Sequence, residues 1–499
     1  MKLFFLIALV LLVTASLLLR MSYPDLQTDR PVIYWVTDPN PARVRQVEVF
    51  HRWLVKEGHV DEDGEPVVQL RLDTGNNDGT KKIIQSVSGV AGDLIDTNAS
   101  QMRLMQAMEV IADVTDDARQ LGFGTDQSFA AVEPVLTVEG RQYRYPANVA
   151  TEMMWVNVDT LRRFGLEPPG SRWTWDEFEA LGVAFKEAAN PPGTPAYARR
   201  FLTNGLTTRQ MMPTAGVSPY NETLTASALD DPQYVRTLQT KYRWVYELNI
   251  LPTPDDQDAF SSAQGYGGAA LQLFNSGQYA MVPGGRWYLI QLRRFENLGE
   301  LRVIEPPHDG FPCTTLRSRA VALYAGSRYP ELAKLFLAYL ASEDYNRLII
   351  EDADALPPNP RYTQSEAFLR PPEYPGEWQI HRAFVEAASA IGVGEPISPY
   401  ILPTESERVR SRNEQLVMTH QMTAEDAAAA TAQQVNALIA EEVARKPELQ
   451  EPYEADLKRQ KRINELKQLG QPIPRSLISN PFYVAYYQRQ GRLLDDTAD

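Results

Sequence analysis

The chain has 499 residues, 43% hydrophobic and 23% charged, with a formal net charge of -15 at pH 7. That composition is of a folded protein long enough for two or more domains, and its acidic balance offers no basic face to a nucleic acid. The single cysteine, Cys313, excludes an intramolecular disulfide framework and a cysteine-built zinc site.

Lys2 is followed by Leu3 to Leu19, a run without charge that Arg20 closes. It reads as a signal-peptide apolar region or a short membrane anchor. Val13-Thr14-Ala15 offers a cleavage site, but the apolar residues continue through Leu17-Leu18-Leu19, which favours an uncleaved anchor. Lys2 on the cytoplasmic side then puts the remainder on the periplasmic or extracellular face, tethered by residues 3–19.

After a polar stretch, Val32 to Val36 reads as a first strand, and Arg43 to Lys56 as a helix with Val44, Val47, Phe50 and Leu54 on one face. Val67 to Leu72 is a second strand, Thr80 to Val90 a helix, Gly92 to Asn98 a third strand with its loop, and Gln101 to Ile111 a methionine-rich helix. This alternation predicts a mostly parallel sheet with right-handed crossovers. Met102, Met105 and Met108 read as core filler. Tyr143 to Asn157 is a further block, with Tyr145-Pro146 followed by the apolar run Met153-Met154-Trp155-Val156. Thr174 and Glu177 form a capping box for a helix whose apolar face is Phe178, Leu181 and Phe185. Phe201 to Phe260 reads as mainly helical, with Asp231-Pro232 as a cap.

Leu271 to Phe274 ends at Asn275-Ser276-Gly277. Tyr279 to Val282 is a buried strand, broken by Pro283-Gly284-Gly285 and followed at once by Arg286-Trp287. Open α/β sheets place ligands at such strand ends; a core strand with an ordinary turn is the plainer reading. Leu301 to Pro307 and Ala320 to Tyr324 are further strands, and Pro330 and Ser342 begin helices. Thr423 to Asp426 caps a helix through Ile439. Glu454 to Leu469 is a charged helix candidate that Pro472 and Pro474 break. Phe482, Tyr483, Tyr486 and Tyr487 then cluster in a tail that packs on its own chain, docks on a partner or is disordered.

The chemistry of catalysis is missing from the local patterns. Five histidines show no HExxH spacing, there is no G-x-S-x-G elbow, and Gly265, Gly267 and Gly268 lack the strand and lysine of a phosphate loop. Asp61-x-Asp63-Gly64 reads as a turn rather than a calcium loop, since the twelfth-position glutamate is absent. Asn98-Ala99-Ser100 reads as a ligand loop. No cofactor is called for.

Several motifs resemble the family 1 extracellular solute-binding proteins of bacterial ABC importers, with maltose-binding protein the familiar member. Phe274 to Trp287 is similar to that family's F-x-x-G-x-x-A-M-x-x-x-G-x-W signature. Phe164 to Phe178 matches its G-L-x-x-P-x-T-W-d-E-f motif almost intact. Tyr143 to Asn157 resembles its Y-x-x-P … l-x-Y-N crossover, and Asp113-Val114-Thr115-Asp116, Ser342-Glu343 and Leu356 to Asn359 add shorter matches. The ordered set spans about Val32 to Glu442. Two positions depart from the pattern: glycine replaces the proline before Asp93, and Ala150 stands where some sugar binders carry an acid. No cysteine follows the apolar run, so the family's common lipoprotein anchor is unavailable to it.

The resemblance implies an α/β, two-lobed periplasmic-binding-protein fold of type II, or venus-flytrap form, with an N-terminal hydrophobic segment (1–20) and a C-terminal helical extension (447–499). Lobe one is expected at 31–145 plus 301–358, and lobe two at 146–300 plus 359–442. The implied function is capture of a carbohydrate in the cleft by a monomer that hands it to ABC permease subunits, with no catalysis. Aromatic rings meet the apolar faces of a sugar, and polar side chains meet its hydroxyls. The resemblance directs Trp35, Trp155 and Trp287 into one cleft, with Asp38, Asp96, Asn98, Asn148, Gly285 and Arg286 beside them. A secreted carbohydrate-active enzyme, or a membrane-anchored sensor or adaptor on the same fold, stays open as an alternative.

Overall fold

Two mixed sheets organise the computed structural model, which describes residues 30–259, 268–296 and 298–495 and position 14. The apolar run at 3–19 lies outside the described residues. Among those described, no helix is long and apolar enough to cross a membrane.

In chain order the strands are β1 (Val32–Val36), β2 (Gln69–Asp73), β3 (Leu94–Thr97), β4 (Arg144–Ala150), β5 (Met153–Asn157), β6 (Phe201–Thr203), β7 (Tyr279–Gly284), β8 (Leu301–Ile304), β9 (Thr314–Leu323) and β10 (Gly392–Gly394). The first sheet runs β10-β9-β3-β1-β2, with β4 also paired to β9. β1 is parallel to β2 and β3, as the early alternation predicts, whereas β9 returns antiparallel to β3 and β4. The second sheet runs β8-β5-β7-β6, with only β6 and β7 parallel. The chain is therefore the two-lobed α/β fold that the motifs imply.

The crossings fall elsewhere than at the expected lobe boundaries. β4 continues through Ala150 in the first sheet, so the first crossing is at Thr151-Glu152. Leu301–Ile304 pairs with β5 in the second sheet, so the return lies between Ile304 and Thr314. β10 pairs with Thr314 to Leu316, which brings residues 392–394 back to the first sheet. Length explains this: the ten residues of β9 have edge enough for three partners. Phe201–Thr203, expected in a helical region, is a strand, because its apolar residues complete the edge beside Tyr279 and Met281. Further along, Arg243–Glu247 is a π-helical turn.

Periodicity placed the first helix but not its face. Ala42–Lys56 buries Arg43, Gln46, Phe50, Trp53 and Leu54, while Val44 is more than half exposed. The face is rotated because Arg43 and Gln46 have buried polar partners. The capping box at Thr174 and the cap at Asp231 form as read. Met102 and Met105 are buried and Met108 is exposed. Asp61 accepts from the backbone N–H groups of Asp63 and Glu65, which makes its segment a turn.

The C-terminal extension is helical over Pro447–Gln468 and Pro481–Arg489. Phe482 and Tyr487 are buried against the same chain, so the aromatic cluster is not a free docking face.

Candidate functional site

The carboxyl ends of β1 and β3 carry a buried network of ions. Asp96 accepts from Trp35 Nε1 (2.7 Å), Thr37 Oγ1 (2.6 Å) and Arg319 Nη1 (2.7 Å). Arg43, only 1% exposed, bridges Asp38 and Asp354. Asp354 also accepts from Gln46 Nε2 and Asn148 Nδ2, each at 3.2 Å, and lies 3.5 Å from Arg319. Burial alone would raise the Asp354 carboxyl, but the Arg43 and Arg319 guanidiniums outweigh it and hold it below its ordinary value. Asp38 is held down in the same way, burial opposing and Arg43 prevailing.

The structure thus brings Trp35, Asp38, Asp96 and Asn148 together, but spends them on one another. Trp35 has no exposed surface and packs against Phe336 in the core of the first lobe. Its indole is therefore no stacking platform in this conformation. Trp155 is likewise fully buried, between Tyr288 and Phe384 in a second core. Trp287 is half-buried and meets the other side of Tyr288 edge-on. The three indoles do not share one cleft wall. The Trp287 ring lies so close over Gly285 that a Cβ there would force the ring to move. Arg286 is a buried clamp, not a cleft residue: it donates to the carbonyls of Ile349, Ile350 and Ala355 and to His381 Nδ1. With only neutral acceptors, burial lowers its pKa to about 9. Asn98 is the N-cap of helix Ala99–Ala107, in a capping box with Gln101, and the next two residues, Ala99 and Ser100, line the inter-lobe cavity.

Open space between the lobes lies elsewhere, at the start of β9. One cavity of about 90 Å³ is lined by Ser100 and Thr315 from the first lobe, by Glu395 directly after β10 of the first sheet, and by Arg209, Tyr220 and Arg410 opposite. A smaller one, about 30 Å³, adjoins it at Glu152, Gln210 and Arg317. Helix Pro403–Met418 packs on helix Ala99–Ala107 beside it, so the lobes touch across the cleft. Together the cavities hold a few waters, well short of the usual volume for a small-molecule site. Entry of a larger solute needs the lobes to part.

Charges of both signs meet there as pairs. Arg209 pairs with Glu395 and Arg410 with Glu407 and Glu414. Glu152 accepts from Arg317 Nη1 (3.2 Å) and Gln210 Nε2 (3.0 Å). Burial, helped by Arg317 and Arg410 nearby, lowers Arg209 to about 10.

The sequence reading missed these residues, yet two signals were present. Thr207 and Gln210 form a capping box four residues after β6, so helix Thr208–Thr214 starts near a strand end. Thr315, Arg317 and Arg319 alternate along β9 and put polar groups on one face of that strand.

A larger groove, about 790 Å³, opens between helix Pro232–Tyr242 and residues 417–426. Its polar groups are paired within the chain, Tyr242 with His420 and Gln239 with Glu425. Its lining comes from one lobe alone, so lobe motion cannot close on an occupant. Among the described residues no cluster could hold a metal ion.

The comparisons agree with this architecture. The description of bacterial extracellular solute-binding proteins matches residues 62–347. An arabinooligosaccharide-binding protein of Bacillus subtilis (strain 168) is 26% identical over 226 residues, covering 43% of this chain and 49% of that protein; the match spans about half the relative's length. Among solved structures, an ABC substrate-binding protein of Listeria monocytogenes in complex with cycloalternan has a TM-score of 0.68 at 19% identity, covering 83% of this chain and 100% of that one. The GacH receptor of Streptomyces glaucescens, solved unliganded and with acarbose, gives 0.66 at 16%, covering 83% and 99%. Maltose-bound T. maritima MalE3 gives 0.64 at 17%, covering 82% and 99%. With more than half the sequence matched and the whole length of these folds reproduced, this chain belongs to the bacterial extracellular solute-binding protein family.

Proposed function

We propose that the chain is the extracytoplasmic solute-binding protein of an ABC-type importer, and that it captures a carbohydrate between its lobes. The observation that carries this is the inter-lobe cavity, lined from both sides by paired donors and acceptors. A sugar hydroxyl donates and accepts at once, so Arg–Glu pairs such as Arg209–Glu395 and Arg317–Glu152 can each share a hydroxyl without leaving an ion unpaired. The relatives named for arabinooligosaccharide, cycloalternan and maltose point to the same ligand class. A solute touching both lobes binds the closed form better and shifts the population towards it. The closed form is what a permease recognises. The chain works as a monomer, held at the membrane by its amino-terminal segment.

The reading is of binding without chemistry. Burial would raise Glu407, but Arg410 holds it below its ordinary value, which favours the carboxylate. A glycosidase needs one carboxylic acid kept protonated beside the scissile bond.

Titration calorimetry and small-angle scattering with maltotriose and arabinotriose test the proposal. Binding with compaction of the solute-free protein is expected. Arg209→Gln and Gln210→Ala should each weaken it, whereas Gln239→Ala in the outer groove should not. Binding that survives both cavity variants, or no binding across neutral oligosaccharides, overturns it.

A further inference from the structure

The C-terminal extension lies outside the matched residues 62–347, and its contacts fall on two places that matter to the lobes. The first is loop 218–223, part of the cavity wall through Tyr220. Asn480 is fully buried, and its Nδ2 lies 2.9–3.1 Å from Ser218 Oγ and the carbonyls of Tyr220 and Asn221. The backbone N–H groups of Ser479 and Asn480 donate to Glu222 O. The Glu222 carboxylate, 3% exposed, accepts from Lys467, Tyr487 and Gln460. Gln460 also accepts from Thr223.

The second place is the crossing between the sheets. Residues 311–313 join β8 of the second sheet to β9 of the first. Phe482 packs against Phe311, Cys313 and Val393, and Val393 belongs to β10. Tyr486 meets Phe311 edge-on at 5.1 Å. Arg489 sits over the Phe311 ring and donates to Pro312 O. The Gly216 backbone approaches the Tyr486 ring so closely that a Cβ would stand 3.2 Å from it.

We infer that the segment Asn480–Arg489 is a strap that ties the lobe-two wall of the cavity to the inter-lobe crossing, and so limits how far the lobes separate. Parting the lobes bends the chain where it crosses. Here one short helix is bonded to the crossing and to the wall together, so opening must break buried polar bonds or ring contacts at one end. The consequence for capture rests on the proposed function; the mechanical claim does not.

The test uses the full chain with spin labels on Val87→Cys in lobe one and Tyr197→Cys in lobe two, both exposed sites; Cys313 is buried and the sole native thiol. Asn480→Ala and Phe482→Leu are compared with Leu469→Ala, an exposed position in the same extension. Without solute, the strap variants should lengthen or broaden the inter-label distance. They should also raise amide exchange at 218–223 and 311–313 together, by about tenfold or more, Asn480→Ala through its lost buried hydrogen bonds and Phe482→Leu through its lost ring contacts. Leu469→Ala should do neither. Distances unchanged in both strap variants, or faster exchange confined to the extension itself, overturn the inference. A full chain that binds no oligosaccharide yet opens in Asn480→Ala leaves the strap standing and removes the ligand reading.

Discussion

Two clusters of arginine and carboxylate stand on either side of one strand. Arg319 of β9 reaches the network of Asp96 and Asp354, and Arg317, two residues earlier on the same face, reaches Glu152 in the inter-lobe cavity. The residue types are alike and the environments are not. In the first cluster Arg43 and Asp354 are each 1% exposed, and every anion has at least one cationic partner. In the second, Arg317 and Glu152 keep over a quarter of their side-chain surface exposed, and Glu152, at the crossing between the sheets, joins Arg317 of the first lobe to Gln210 of the second. The first network is centred on a fully buried Arg43–Asp354 pair, although Asp38 at its rim is as exposed as Glu152; the second cluster has no such buried centre.

The sharpest way to break this contrast is Asp354→Ala. It leaves the buried Arg43 with Asp38 alone and Arg319 with Asp96 alone, and should cost about 3 kcal/mol in urea unfolding. A cost near zero would make the network a second exchangeable site. Next is a pH effect at His381, where burial, with Arg286 alongside, lowers the pKa to about 4 although Glu377 opposes the shift. Arg286 donates to Nδ1, so Nε2 carries the proton and faces Glu377 at 3.2 Å. The unfolded chain protonates this residue near pH 6.5 and the folded one near 4. Stability therefore falls as pH drops through that window, by up to about 3 kcal/mol at the conversion of ~1.4 kcal/mol per unit. His381→Gln should flatten that part of the stability-against-pH curve.

A smaller effect separates two tryptophans that the sequence treats alike. Trp35→Phe removes the bond from Nε1 to Asp96 and should cost about 1.5–3 kcal/mol. Trp155 Nε1 has no partner, so Trp155→Phe loses only volume and should cost about 1.5 kcal/mol or less. Chemical unfolding of the two variants compares them directly. The smallest stability change is expected for Arg209→Gln, within about 1 kcal/mol for a part-exposed pair. Its solute affinity, measured by calorimetry, should nevertheless fall about tenfold or more.

Much of the fold was legible beforehand. The capping box at Thr174, the cap at Asp231, and strands β1 and β7 follow from local patterns that a chain of any topology would obey. The site was legible only as a neighbourhood. Asp38, Asp96 and Asn148 do fall in one network, but Asp96 and Asn148 meet partners 223 and 206 residues distant in sequence, Arg319 and Asp354. Nothing local to Asp96 says that an arginine from β9 will neutralise it. Trp35 and Trp155 are buried for a reason equally invisible locally: a tryptophan near a strand end looks identical whether its ring faces a cleft or Phe336.

From the linear order of residues came what depends on short-range forces: periodicity, caps, turns, the apolar run and the order of family motifs. The three-dimensional arrangement decided which charges meet, where the chain crosses between sheets, and that the last aromatic cluster folds back on residues 216–222 and 311–313. Those outcomes depend on distance in space. Coulomb attraction and ring packing act over a few ångströms, and only the assembled sheets bring such residues within reach.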